Sequence, residues 1–210
     1  MISFSNKIPL KLVSNFLHDI NKRTYSNFVI GWGHKSTADR ARRYAAQLNL
    51  PYIALEDGFL RSLDLGCKGA QPLSLIVDLN GIYYDATEAS DLENLLNSSG
   101  WETPDLLASA RRAMEDIQRY HLSKYNHAPD ISSDLWESSS APRVLLLDQT
   151  VGDASVSLGM ASEASFKAML DEALSLYPLE SIRVKTHPDV IAGKKRGFLA
   201  DYAKSRGVKV

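Results

Sequence analysis

Phe28-Val29-Ile30-Gly31-Trp32-Gly33 is followed, across a segment that begins at His34 and reaches Leu48, by Tyr52-Ile53-Ala54-Leu55-Glu56-Asp57-Gly58. Each quoted run is apolar at its start, as a buried strand requires, and breaks into glycine or charge at its end. Ser36 or Thr37 can cap the helix between them by accepting a backbone N–H. Strand, helix and strand at this spacing predict a parallel βαβ unit, and so an α/β fold. Both strands then open at the same sheet edge, where open α/β sheets bind ligands.

Further along, Ser74-Leu75-Ile76-Val77-Asp78 and Ile82-Tyr83-Tyr84 flank Asn80-Gly81, which predicts an antiparallel hairpin. Ser90 caps a predicted helix through Leu96. Leu107, Ala110, Met114, Ile117 and Leu122 fall at near-helical spacing from Pro104 to about Tyr125, a helix expected to close a first domain over residues 1–125. Residues 126–142 have the composition of a linker, with His127, two prolines and several serines around Leu135 and Trp136. Residues 143–210 start the pattern again. Arg143-Val144-Leu145-Leu146-Leu147 reads as a buried strand, a helix follows over about Glu163 to Leu176, and Ile182-Arg183-Val184-Lys185 reads as the next strand. A helix from Phe198 to Lys204 then leads to Val208-Lys209-Val210, the start of another strand. So few strands would leave sheet edges and one face uncovered, which suggests a second domain that is only partial.

The 210 residues are 44% hydrophobic and 23% charged, with a net charge of −1, an ordinary globular composition. Such a balance gives no general reason to bind nucleic acid. The single cysteine, Cys67, excludes an intrachain disulfide and a cysteine-based metal site, and no metal or cofactor is expected. No stretch offers the roughly 20 apolar residues of a membrane span, and no secretory signal opens the chain, so a cytoplasmic location is expected. Ile8, Leu12 and Phe16, at helical spacing, read as core rather than anchor.

Four clusters of residues at predicted strand ends could carry chemistry. Gly31 and Gly33 permit close backbone approach before a helix start, which suits a phosphate or carboxylate, although a glycine-bracketed turn is often only a turn. Glu56 and Asp57 could supply a general acid or base, or form a charged turn closed by Arg61. Asp148-Gln149-Thr150-Val151-Gly152-Asp153-Ala154-Ser155 delivers polar groups from the most hydrophobic strand of the second half. An Asp there can attack an anomeric carbon or support a cationic transition state; alternatively Asp153 or Ser155 caps a helix. Lys185 and His187, the latter fixed before Pro188, could contact phosphate. Lys194-Lys195-Arg196 reads as a solvated basic turn rather than a substrate clamp.

Taken together, Gly31-Trp32-Gly33, Glu56 to Ser62, Gly81-Ile82-Tyr83-Tyr84-Asp85-Ala86, Asp148-Gln149-Thr150 with Gly152 to Ser155, and Val184 to Asp189 resemble the β-Kdo transferases of capsule polysaccharide synthesis, of the KpsC type. The resemblance runs from about Asn27 to the end of the chain. It implies a GT-B-like arrangement: an N-terminal, acceptor-side Rossmann-like domain and an incomplete C-terminal, donor-side one, facing a cleft. It further implies CMP-Kdo as donor, a lipid-linked glycan acceptor at the inner membrane, retained anomeric configuration, and capsule assembly proteins as partners. Carried over by position, Asp153 is the nucleophile, Glu56 or less favourably Asp57 the acid or base, and Lys185 and His187 border the donor. Gln149, Ser155, Arg61, Gly31 and Gly33 complete the substrate-binding set. Family members continue with a nucleotide-binding segment, so these 210 residues alone are expected to bind CMP weakly or not at all. CMP-sialic acid as donor, or a non-catalytic remnant, are the rival readings.

Overall fold

The computed structural model describes residues 27–64, 69–124, 126, 136 and 142–210, with the backbone of Ile2 and Ser3. The expected linker lies almost wholly outside the described residues, as do Ile8, Leu12, Phe16 and Cys67. The chain divides into two compact units, Met1–Pro129 and Asp130–Val210.

In the first unit, β1 (Ile2–Ser3), β2 (Val29–Trp32) and β3 (Tyr52–Asp57) run parallel, and β4 (Leu75–Asp78) lies antiparallel beside β3. Because side chains alternate along a strand, the sheet has two apolar faces. Ile30, Ile53 and Leu55 pack with Phe28, Trp32, Leu75 and Val77 on one; Val29 meets Ala41 and Ala45 of α1 (Asp39–Gln47) on the other. Fully burying each of Ile30, Ile53 and Leu55 contributes roughly 1.5–3 kcal/mol. The predicted βαβ unit is present, but neither Ser36 nor Thr37 caps α1. A 3-10 turn, Ser36–Ala38, comes first, and Ala38 N–H already bonds the Lys35 carbonyl at 2.7 Å.

The predicted hairpin after β4 does not form. Asp78, buried at the strand end, accepts backbone N–H groups from Asn80 (3.0 Å), Gly81 (2.7 Å) and Asp91 (3.1 Å). That carboxylate turns the chain away from the sheet, and β4 takes β3 as its antiparallel partner instead. Gly81 serves close approach: a Cβ there would lie 2.9 Å from the Ala89 carbonyl oxygen. Ser90 caps α2 (Asp91–Leu96) as expected, accepting from Glu93 N–H at 3.1 Å. The long helix α3 (Pro104–Arg119) stops short of Tyr125, ending where His121 adopts φ +50°. It buries none of its residues, and Leu107 and Met114 are exposed.

In the second unit, β5 (Val144–Leu147) pairs in parallel with β6 (Ile182–Lys185). The connecting helix α5 (Glu163–Leu176) begins with reciprocal Ser162 and Ser165 hydrogen bonds. Leu146, Leu170, Ile182, Val184, Leu199, Ala203 and Val208 form the core. The β5 run is buried on one face only: Leu146 points inward, while Leu145 and Leu147 are exposed. No further layer covers them among the described residues. Lys209 lies alongside Arg183 in a parallel bridge, the beginning of the expected third strand. The last helix, α7 (Ala200–Ser205), starts two residues later than expected.

Candidate functional site

The parallel register sets Trp32 beside Leu55, so the loops after β2 and β3 emerge as neighbours. Glu56 is buried there. Its Oε1 accepts from Trp32 Nε1 at 2.9 Å and from Asp57 N–H at 3.1 Å. Lys35 Nζ lies 3.2 Å from Oε2, although Oε2 has no aligned hydrogen bond, so charge rather than geometry holds it. A buried carboxylate without such partners would cost several kcal/mol. Trp32, quoted only as part of the glycine motif, and Lys35 are not among the expected site residues; the register that sets Trp32 beside Leu55 is the signal for the first.

Asp57 is the carboxylate that Arg61 takes, at 2.9 Å from Nε. Arg61 Nη1 also donates to Ser62 Oγ (2.9 Å) and the Ala70 carbonyl (2.8 Å). Arg61 therefore braces its own turn rather than reaching out toward a substrate. The glycine loop is also filled from within. A Cβ on Gly31 would run into the Tyr52 ring, and one on Gly33, at φ +53°, into the Tyr84 hydroxyl. Tyr52 Oη donates to the Gly33 carbonyl at 2.7 Å, and burial pushes its phenol well above the ordinary range. Two tyrosines thus occupy the close approach that sequence offered to an anion.

His34, next in the loop, is buried with Nδ1 2.9 Å from Asp85 Oδ2, and its backbone N–H donates to Tyr84 Oη at 3.0 Å. Asp85 Oδ1 accepts from Thr87 N–H (3.0 Å) and Thr87 Oγ1 (2.6 Å). Burial opposes the Asp85 charge, but the His34 and Thr87 hydrogen bonds outweigh it and lower its pKa below the ordinary 3.8. Glu88 lies 3.4 Å from the same His34 nitrogen, and the three donor atoms fall within 4.8 Å of one another. Arg42, 3.7 Å from Glu88, sets a fixed positive charge where a metal ion would need room. The cluster is better explained as a lock between the glycine loop and residues 84–88. Asp85→Asn should cost about 1–3 kcal/mol at neutral pH. A depressed carboxylate stabilises above its unfolded pKa and loses that contribution as pH falls through its folded pKa. The gap between native and variant in urea unfolding should therefore close below 3.8.

In the second unit, Asp148 N–H bonds the Lys185 carbonyl at 2.9 Å, so the loops after β5 and β6 leave the sheet side by side. This brings Gln149 to Ser155 and Lys185 to His187 to one carboxyl edge. Gly152, at φ +86°, turns the chain into α4 (Ala154–Leu158). Asp153 caps that helix, Oδ1 accepting from Ser155 N–H (2.9 Å) and Ser155 Oγ (2.8 Å). Asp153 and Ser155 are both half-buried. His187 caps α6 (Pro188–Ile191): Nδ1 accepts from Asp189 N–H at 3.1 Å, which assigns the ring proton to Nε2. Lys185 is exposed.

A family profile described as capsule polysaccharide biosynthesis protein matches residues 27–210. The chain belongs to this family. Among its relatives in the family, the capsule polysaccharide modification protein LipA of Neisseria meningitidis serogroup B is 47% identical over 182 residues, 86% of this chain and 26% of LipA. The lipopolysaccharide-processing protein LpsZ of Rhizobium meliloti is 36% identical over 159 residues, 75% of this chain and 36% of LpsZ. The chain thus spans about a quarter to a third of the length of these relatives. The solved KpsC β-Kdo 2,4 transferase of Thermosulfurimonas dismutans is 52% identical at a TM-score of 0.80, covering 86% of this chain and 56% of that one. The KpsC β-Kdo 2,7 transferase of the same organism, at 23% identity and a TM-score of 0.60, shares the fold.

Proposed function

We propose that this chain carries part of a retaining β-Kdo glycosyltransferase of capsule polysaccharide synthesis, using CMP-Kdo and a lipid-linked glycan acceptor. The observation that carries this reading is the likeness, at 52% identity and a TM-score of 0.80, to the KpsC β-Kdo 2,4 transferase. Each compact unit is then one Rossmann-like half of a GT-B enzyme. The work is done at the cytoplasmic face of the inner membrane, where capsule assembly proteins would meet it.

In this reading the Asp153 carboxylate attacks the anomeric carbon of Kdo, and CMP departs as its phosphate anion. Lys185 and His187 favour that departing charge, His187 through the Nε2 proton. Glu56 then takes the proton of the acceptor hydroxyl. The hydroxyl oxygen displaces Asp153, and two inversions give net retention. Oε2 of Glu56, which accepts no hydrogen bond, is the oxygen that takes this proton, and the adjacent Lys35 ammonium keeps the carboxylate ionised beforehand. Asp57, tied to Arg61, is the less suitable base.

The test is transfer by the complete gene product, with CMP-Kdo and CMP-sialic acid as competing donors and mass spectrometry as readout. Kdo alone should be added, and Glu56→Gln should slow its addition by roughly 10²–10⁴-fold. Addition of sialic acid instead, or full activity in the variant, would refute the donor or the base respectively.

A further inference from the structure

Between Lys185 and Val210 the sequence carries seven Lys or Arg and two Asp, although the chain as a whole is −1. Four of these cations, Lys194, Lys195, Arg196 and Lys204, line one open groove of about 510 Å³ together with Asp201. Beside it α6 ends at Ile191, which is 79% exposed, while the preceding Val190 lines the groove. The local acids offset the charge only in part: Asp189 lies 3.8 Å from Lys195 Nζ, Glu163 interacts with the Arg196 charge, and the Asp189 backbone carbonyl accepts the Lys194 and Lys195 N–H groups. The turn is thereby held in shape with its three cations outward. Ile191 thus follows a groove-lining residue and precedes the three cations by three to five positions, so one face carries both an exposed aliphatic side chain and positive charge.

We propose that this face docks on an anionic lipid surface, with Ile191 entering the headgroup boundary and Lys194, Lys195, Arg196 and Lys204 meeting lipid phosphates. Cations near such a surface are attracted over about a Debye length, and an apolar side chain adds a salt-resistant component. Single-stranded nucleic acid fits the face less well, because bases need exposed aromatic platforms. The two aromatic residues of the segment are both engaged: Phe198 stacks on Phe166 at 4.9 Å, and Tyr202 Oη donates to the Asp171 carboxylate at 2.8 Å. The proposal deepens the transferase reading by naming the surface that meets the acceptor's membrane. It rests on that reading only for the membrane's presence.

The complete gene product, without donor or acceptor, is sedimented with phosphatidylglycerol-containing vesicles and with pure phosphatidylcholine vesicles. Preferential binding to the anionic vesicles is expected, weakened by salt. K194Q/K195Q/R196Q should lower the anionic partition coefficient roughly 100-fold. Ile191→Ser should lower the part that survives high salt, and circular dichroism of both variants should match the native protein. No preference for anionic vesicles, an unchanged triple variant, or tight binding of single-stranded RNA with no vesicle binding would each overturn the proposal. Transfer of Kdo to a detergent-soluble acceptor is unaffected by these variants if only the docking surface is lost. Failure of transfer in the native protein would count against the enzyme reading, not against this one.

Discussion

Asp153→Asn should abolish Kdo transfer, lowering turnover by at least about 10⁴-fold, because an amide oxygen is too poor a nucleophile to replace the carboxylate. The same change should barely touch the fold. Asp153 caps α4 through Oδ1, which accepts from the Ser155 N–H and hydroxyl. An asparagine oxygen can accept both, and Asn and Asp cap helices about equally well. The unfolding free energy should therefore stay within roughly 0.5 kcal/mol of native. Asp153→Ala would be less informative, since it also removes a cap worth about 1 kcal/mol. Thermal melts and transfer rates of the asparagine variant separate the two roles. Normal turnover with a native melt would leave Asp153 a cap and nothing more.

The largest effect on stability is expected at the other aspartate of the motif. Asp148 is buried, and its Oδ1 accepts from Gln149 N–H (2.8 Å), Phe198 N–H (2.9 Å) and Leu199 N–H (3.0 Å). Oδ2 accepts from Ala200 N–H at 3.3 Å. One side chain thus pins the loop after β5 to the start of α7, and Gly197 is required beside it because a Cβ would strike the carboxylate. Asp148→Ala strands the N–H groups of Gln149, Leu199 and Ala200, leaves Phe198 N–H only the Gln149 carbonyl at 3.3 Å, and should cost about 3–5 kcal/mol, a large share of what a unit of this size has. Asp148→Asn keeps the three bonds to Oδ1 but turns its amide toward Ala200, so a smaller loss is expected. Urea unfolding of the second unit by circular dichroism ranks the two; an alanine variant as stable as native would show that the loop is held by something else.

The parallel units were legible because their signals are local. Apolar runs that end in glycine or charge, at a spacing that leaves room for one helix, gave β2, α1 and β3, then β5, α5 and β6. Reading failed where one side chain redirects several backbone groups. Asp78 and Asp148 each gather N–H groups from residues near and far, and no spacing rule reveals that. Asn80-Gly81 carries a strong turn signal, but the glycine there meets the Ala89 carbonyl. Leu145 and Leu147 look like core in a four-residue apolar run, and only the absence of a second layer among the described residues exposes them. At the site, the pairing of Asp57 with Arg61 was within reach because the two are four residues apart. The Trp32 and Lys35 contacts with Glu56, 24 and 21 residues away, depend on strand register. The buried pair of His34 and Asp85, 51 residues apart, joins two loops that no local signal brings together.

These contacts give Glu56 and Asp153 different surroundings. Glu56 is sequestered between an indole N–H and an ammonium, while Asp153 is half-buried at a helix start. The roles proposed for them, proton acceptor and nucleophile, come from the family resemblance. The assignment makes a stereochemical commitment that no inactive variant can test. The direct measurement is the NMR spectrum of the product formed from CMP-Kdo and acceptor by the complete gene product. A single β-linked Kdo, with the configuration of the donor, is the result expected; an α-linked product, or no consumption of CMP-Kdo, would contradict the account.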